Sequence, residues 1–168
     1  MATCNGQWVA LLAWGAAALK CGPRDAWIGW TPALKFRRLH LIANHVRFLI
    51  LPDGDSPNLA SQILARNLQR LSADWEHYYG HPILLVETFV DATRLRGTCY
   101  RPAGWQVLGT TRGFGKHDPG YVAHGQPKRV LVCPLGPQAR EGLTAAFLPP
   151  ADFTRKEILP RLDLNCLP

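Results

Sequence analysis

The sequence predicts an α/β (α+β) domain built on a mixed sheet with a central parallel strand pair and flanking helices. Two short apolar runs, "VRFLILP" (46–52) and "PILLVETFV" (82–90), are almost free of charge, as strands covered on both faces are. Between them Leu59, Ile63, Leu64, Leu68, Leu71, Trp75 and Tyr78 recur at helical spacing, from a cap-plus-proline start at Ser56 and Pro57 to a stop at Gly80. A strand, a helix and a second strand in that order make a β-α-β unit with its strands parallel. With 168 residues, 47% of them apolar and 18% charged, the chain is long enough for a real core and is not the composition of a disordered segment.

The other elements follow from local chemistry. Residues 8–21 and Ala26–Trp30 read as two strands across a Gly22–Asp25 turn, because "GPRD" is turn chemistry between apolar runs. Thr31 and Pro32 then open a short helix with Leu34, Leu41 and Ile42 on one face and Lys35, Arg37 and Arg38 off it. A short helix is expected over 91–100, a strand at "WQVLGTT" (105–111), a long mobile loop over 112–129 and a strand over 130–135. The core should hold Phe48, Ile50, Leu84, Val86, Val107 and Val130. This gives one domain over 1–143 and a proline-rich tail over 144–168 with at most one helical turn.

Five scattered cysteines, Cys4, Cys21, Cys99, Cys133 and Cys166, form no C-x-x-C pair and no zinc-like spacing with histidine, so reduced thiols, a cytoplasmic location and no metal are expected. The apolar run "WVALLAWGAAAL" (8–19) is too short to span a bilayer and has no basic residue before it, so no membrane partner is expected.

The net charge of +7 and a pI near 9.5 suit a polyanionic partner and equally suit a basic protein that binds none, so charge alone does not decide between them. Arg94, Arg96 and Arg101 cluster around the expected short helix, and Arg112, Lys116, Lys128 and Arg129 frame the glycine-rich loop. Phe114 and Tyr121 lie between them and offer stacking faces, so these seven cations are the candidate nucleic-acid contacts. A second basic group, Lys35, Arg37, Arg38, His40 and Arg47, reads as an exposed helix face.

Three residues are candidates for chemistry. Tyr100, followed by Gly104 and Trp105, is either a general acid or an amphipathic side chain closing a glycine-aromatic corner. Glu87 interrupts an apolar strand and is either hydrogen-bonded in place or catalytic; with Asp91 it would set two carboxylates near one strand end.

Taken in order, "RDAWIGW", "RFLILP", "NLASQIL", "RLSADWEHYYGHP", "ETFVDATRLRGTCY" and "GWQVLGTTRGFGKHD" resemble the family of the Druantia anti-phage protein DruA, a group also seen beside or fused to transposases. The resemblance runs from about Ala17 to Leu143 and implies an accessory role in phage defence or transposition, with DNA and defence-system or transposase proteins as partners. Members of that family usually carry sequence before the first of these blocks, so the resemblance implies a short or N-terminally truncated member. The order of elements from residue 46 to 111, ending in "Y-x-x-x-G-[aromatic]", also resembles a GNAT-type acyltransferase. That likeness implies a GNAT-like sheet, Tyr100 as the acid that protonates a departing thiolate, and acetyl coenzyme A with its pyrophosphate on the N-terminus of the helix after the central strand. At that place the sequence has Asp53, Asp55 and Pro57. Two exposed carboxylates there oppose a phosphate by several tenths to about 1 kcal/mol each, and Pro57 removes a donor, so no bound cofactor is expected. Three functions stay open: a nucleic-acid-contacting accessory protein, an N-acyltransferase, and a docking module for a transposase or helicase.

Overall fold

Asn5 and Gly6 both adopt left-handed backbone, φ 50° and 77°, and turn the chain between strands β1 (Ala2–Cys4) and β2 (Gln7–Ala16). Asn-Gly is the residue pair that a two-residue hairpin favours, because both central positions need positive φ. The computed structural model describes residues 1–52, 56–117, 120–123, 125–146 and 162–163, without the side chains of 115–117, 121 and 162–163. After β2 come helices α1 (Gly22–Ile28) and α2 (Pro32–Arg38), a 3-10 turn (Leu39–Leu41), strand β3 (Ile42–Ile50), helix α3 (Leu59–Tyr79) and strand β4 (Leu85–Val90). Strands β5 (Gln106–Thr110), β6 (Phe114–His117), β7 (Gly120–Ala123) and β8 (Arg129–Pro134) follow, then helix α4 (Ala139–Thr144) and a short strand β9 (Leu162–Asp163).

The main sheet has the order β5-β8-β4-β3-β2-β1-β9, and β6 and β7 form a separate two-stranded ribbon. The expected parallel pair is present at its centre: β3 and β4 align Ile42 with Leu85, Ala43 with Val86 and Asn44 with Glu87. Beyond Asn44 β3 carries one extra residue, since Ala13 faces Arg47 while Trp14 faces His45, a bulge against β2 that begins where the pairing with β4 ends. Thr88 Oγ1 donates to the His45 carbonyl at 3.0 Å just where the ladder stops.

Alternation along β4 divides the core. Val86 and Val90, with Ala43, Leu131 and Cys133, bury against Leu64, Leu68 and Leu71 of α3. Leu85, with Ile42 and Val132, buries on the opposite face against Ile28, Leu41 and Leu143 from α1, the 3-10 turn and α4. Each fully buried leucine or isoleucine contributes about 1.5–3 kcal/mol, so both helical layers are needed to hold the sheet.

Several expectations are corrected. The Gly22–Asp25 turn and Ala26–Trp30 strand are replaced by α1: Pro23 sits at its first turn, where the missing N–H costs nothing, and Gly29 closes it at φ 78°. Leu41 and Ile42 have left the helix, and strand β3 begins at Ile42 rather than at 46. Helix α3 starts at Leu59 behind a left-handed Asn58 with no side-chain cap, not at Ser56. Residues 91–100 form successive turns instead of a helix, with Leu95 N–H donating to the Asp91 carbonyl and no longer ladder. The region 112–129 is not a structureless loop, because Phe114 pairs with Ala123 and Lys116 with Tyr121 in the β6–β7 ribbon. Of the expected core, Val86 and Val130 are fully buried, Phe48, Ile50 and Leu84 are half-buried, and Val107 is 39% exposed because β5 is an edge strand beyond the area α3 covers. Arg38, read as an exposed charge, is buried and donates to the Ala145 carbonyl at 3.0 Å. The tail expected over 144–168 lies largely outside the described residues, as do Asp53, Asp55 and Cys166. Within it, Leu162–Asp163 pairs in parallel with Ala2–Thr3.

On the α1 face, Glu87 and Arg24 are both fully buried and ion-paired, Arg24 Nη1 to Glu87 Oε2 at 2.8 Å. The second carboxylate oxygen accepts from the Ala18 N–H at 2.6 Å, and Arg24 Nη1 also donates to the Ala18 carbonyl at 2.8 Å. Burial pushes the Glu87 carboxyl up, opposed by the Arg24 guanidinium and the Ala18 N–H. Arg24→Ala leaves an unpaired buried carboxylate and is expected to cost about 3–5 kcal/mol in urea denaturation, whereas Arg24→Met combined with Glu87→Leu should lose much less.

Candidate functional site

The Glu87–Arg24 pair extends outward. Asp25 Oδ1 accepts from Arg24 Nη2 at 2.8 Å and from the Trp30 indole at 3.2 Å, and its Oδ2 accepts from Lys35 Nζ at 2.7 Å. This chain of charges makes one wall of a groove of about 1230 Å³ lined by Lys20, Asp25, Lys35, Phe89, Arg112, Phe114 and Lys128, among others. Among the described residues Asp25 is the one carboxylate that lines the groove, and two cations already neutralise it. The opposite wall is pinned by backbone: Thr111 N–H donates to the Lys128 carbonyl at 2.8 Å, and Lys128 N–H donates to Thr111 Oγ1 at 2.9 Å. That clamp sets Arg112 and Lys128, both exposed, side by side at the base of the β6–β7 ribbon. Cys21 also lines the groove, but burial pushes its thiol up to about 11, so it stays protonated and is a poor nucleophile.

The Tyr100 corner lies on the other face of the sheet, among the α3-facing residues. Tyr100 is buried, its ring meets Trp105 edge-on at 5.1 Å, and Gly104 turns the chain between them at φ 87°. Its hydroxyl lies 3.2 Å from His45 Nδ1, and burial raises its pKa. His45 is itself buried, stacked on Trp14 at 4.5 Å, and burial lowers its pKa to about 4, so the ring is neutral at pH 7. The pair is therefore an uncharged phenol-imidazole contact inside an aromatic box.

Of the expected site residues, Arg112 and Lys128 come together in the groove. Arg129 is half-buried and donates to the Arg96 carbonyl at 3.3 Å, while Arg94, Arg96 and Arg101 are exposed on the turns that precede β5. The side chains of Lys116 and Tyr121 lie outside the described residues. Glu87 and Asp91 share no contact partner: Glu87 holds Arg24, and Asp91 accepts from the Thr93 hydroxyl at 2.6 Å, which lowers its pKa. No group of three or more His, Cys, Asp or Glu among the described residues is placed to hold a metal ion. The N-terminus of α3 does not fit a coenzyme A pyrophosphate: its first turn, Leu59–Gln62, carries no cation, and the Ser61 hydroxyl is spent on the Asn58 carbonyl at 2.8 Å.

The family model described as Druantia protein DruA matches residues 1–129. The chain belongs to the DruA family. Among solved structures it is similar to the aminoglycoside acetyltransferase AAC(6')-Ib in complex with paromomycin and acetyl-CoA, at TM-score 0.50 and 16% identity over 85% of this chain and 66% of that one. The same enzyme in complex with ribostamycin and coenzyme A gives TM-score 0.50 and 18% identity over 85% and 65%. This DruA-family chain thus spans slightly under two thirds of the length of those enzymes, and the likeness establishes a GNAT-like fold. No protein with a curated description matches it in sequence.

Sequence reasoning missed Arg24, Asp25, Lys20, Phe89 and His45 in this DruA-family chain. Pro23 just inside α1 and Gly29 just past it are a start-and-stop signature that would have put Arg24 on a helix. Nothing local marks His45, whose partners Trp14, Tyr100 and Trp105 come from distant strands and turns.

Since the folded ring resists protonation, the unfolded chain takes up a proton first as pH falls. His45 therefore stabilises the fold above pH 6.5, and that contribution drains away between about 6.5 and about 4. Urea denaturation at pH 7 and 4.5 should show up to about 3 kcal/mol lost on acidification in the parent, and a visibly smaller loss in His45→Asn.

Proposed function

We propose that this chain serves in defence against phage, in the cytoplasm, by contacting nucleic acid through the groove between α1 and the base of the β6–β7 ribbon. The observation that supports this reading is the charge of the groove: Lys20, Arg112 and Lys128 line it, while Asp25, the one carboxylate in its lining among the described residues, is already paired with Arg24 and Lys35. Phosphates entering such a groove release condensed counterions, and the cations that receive them come from three separate segments held in one concave surface. Family membership supports the defence context, and the net charge of +7 supports the ligand class. Replacing Lys20, Arg112 and Lys128 together by alanine should weaken binding of a DNA oligonucleotide and lower the slope of log affinity against log salt by about 2. Electrophoretic mobility shifts at several salt concentrations read both quantities, and a parent that binds no oligonucleotide in a salt-sensitive way would sink the reading.

A second reading, an N-acyltransferase using acetyl coenzyme A with Tyr100 at its corner, draws support from the fold shared over 85% of the chain with AAC(6')-Ib. It requires the cofactor to sit elsewhere than on the first turn of α3. Calorimetry with acetyl coenzyme A is expected to give no binding heat at about 1 mM, a concentration that detects even a weak ligand; a saturable signal would move the function to this second reading.

A further inference from the structure

The groove combines its cations with apolar surface that phosphate does not need. Phe114 is 55% exposed and Leu19 is 46% exposed, and Phe89 and Pro23 add to the apolar part of the lining. A phenylalanine ring this open inside a concave, cationic lining is apolar surface that a ligand in the groove would cover. The volume, about 1230 Å³, exceeds the range of roughly 300–1,000 Å³ common for small-molecule pockets, which suits an extended ligand. A duplex turns its phosphates outward and hides the faces of its bases in the stack, so it cannot lay a base against a ring inside a concave wall. A single strand offers both phosphates and bare base faces.

Resting on the reading that the groove binds nucleic acid, we propose that it takes a single strand, with a base stacked on Phe114 and the flanking phosphates on Arg112 and Lys128. Those two cations stand at the base of the ribbon that carries Phe114 as its first residue, so stacking and charge neutralisation act on neighbouring nucleotides. Lys20, on the side of the groove next to α1, meets the strand as it crosses Phe89. The competing geometry is a duplex whose major groove admits the two-stranded β6–β7 ribbon. In that geometry the groove-facing ring would have no role.

Fluorescence anisotropy on the whole chain distinguishes them, with a labelled oligothymidylate as single strand and a mixed-sequence duplex of equal length at one salt concentration. The single strand should bind at least about tenfold tighter than the duplex. Phe114→Leu, which keeps apolar bulk and removes the π-face, should weaken single-strand binding by about tenfold, the range expected for one base stacked on an aromatic side chain, and leave duplex binding unchanged. Phe114→Trp should restore it, which separates stacking from any change in the ribbon. Duplex binding equal to or tighter than single-strand binding, with Phe114→Leu neutral, overturns the single-strand inference while the nucleic-acid reading stands. Absence of salt-sensitive binding to either probe overturns both.

Discussion

The buried Arg24–Glu87 ion pair is the constraint on which one whole face of the molecule depends. Two charges withdrawn from water cost several kcal/mol each, and they persist here because every strong partner is in place: the guanidinium holds Glu87, Asp25 and the Ala18 carbonyl, while the carboxylate also takes the Ala18 N–H. These contacts fasten α1 and the segment after β2 onto the middle of β4. They also fix Asp25 where Lys35 and Trp30 can reach it, so the groove wall is a consequence of the buried pair rather than a separate design. A hydrophobic pair would secure the same packing, but it would not hand a neutralised carboxylate and an anchored lysine to the surface.

The opposite face is governed by neutrality. There His45 sits among Trp14, Tyr100 and Trp105 at the bulge in β3, one residue past its last pairing with β4. Ring contacts surround the imidazole, and the phenol-imidazole contact satisfies the one ring nitrogen that faces Tyr100. His45 Nε2 and Trp105 Nε1 are buried with no hydrogen-bond partner among the described residues, so the box is held by ring contact more than by hydrogen bonds. The sheet therefore separates a side built on a buried ion pair from one whose buried centre is an uncharged aromatic cluster.

How much of this the sequence discloses depends on the range of the interaction. The β3-α3-β4 unit was legible because helical spacing over Leu59–Tyr78 and two charge-poor runs are local patterns. The α1 helix was not, since "GPRD" satisfies a turn as well as it satisfies a proline-led helix start, and only the packing of Ile28 into the second core decides between them. The β6–β7 ribbon was hidden for a related reason: its glycines and prolines suit a loop, and the pairing that orders it begins at the Thr111–Lys128 clamp. Arg112 and Lys128 were named from charge alone, but their lysine companions, Lys20 and Lys35, lie far earlier in the chain and join them only through the fold. Glu87 was correctly singled out as a charge in an apolar strand; its partner, 63 residues away, could not be read from spacing.

The strand order also decides how the molecule can be tethered. Strand β1, which begins one residue after Met1, and β9, which pairs with it, occupy one margin of the main sheet, while β5 and β8, which lead into Arg112 and Lys128, occupy the other. A fused or docked protein attached through Met1 would leave from the margin remote from the groove, with three strands, β2, β3 and β4, between its point of attachment and the nearer groove-bearing strand.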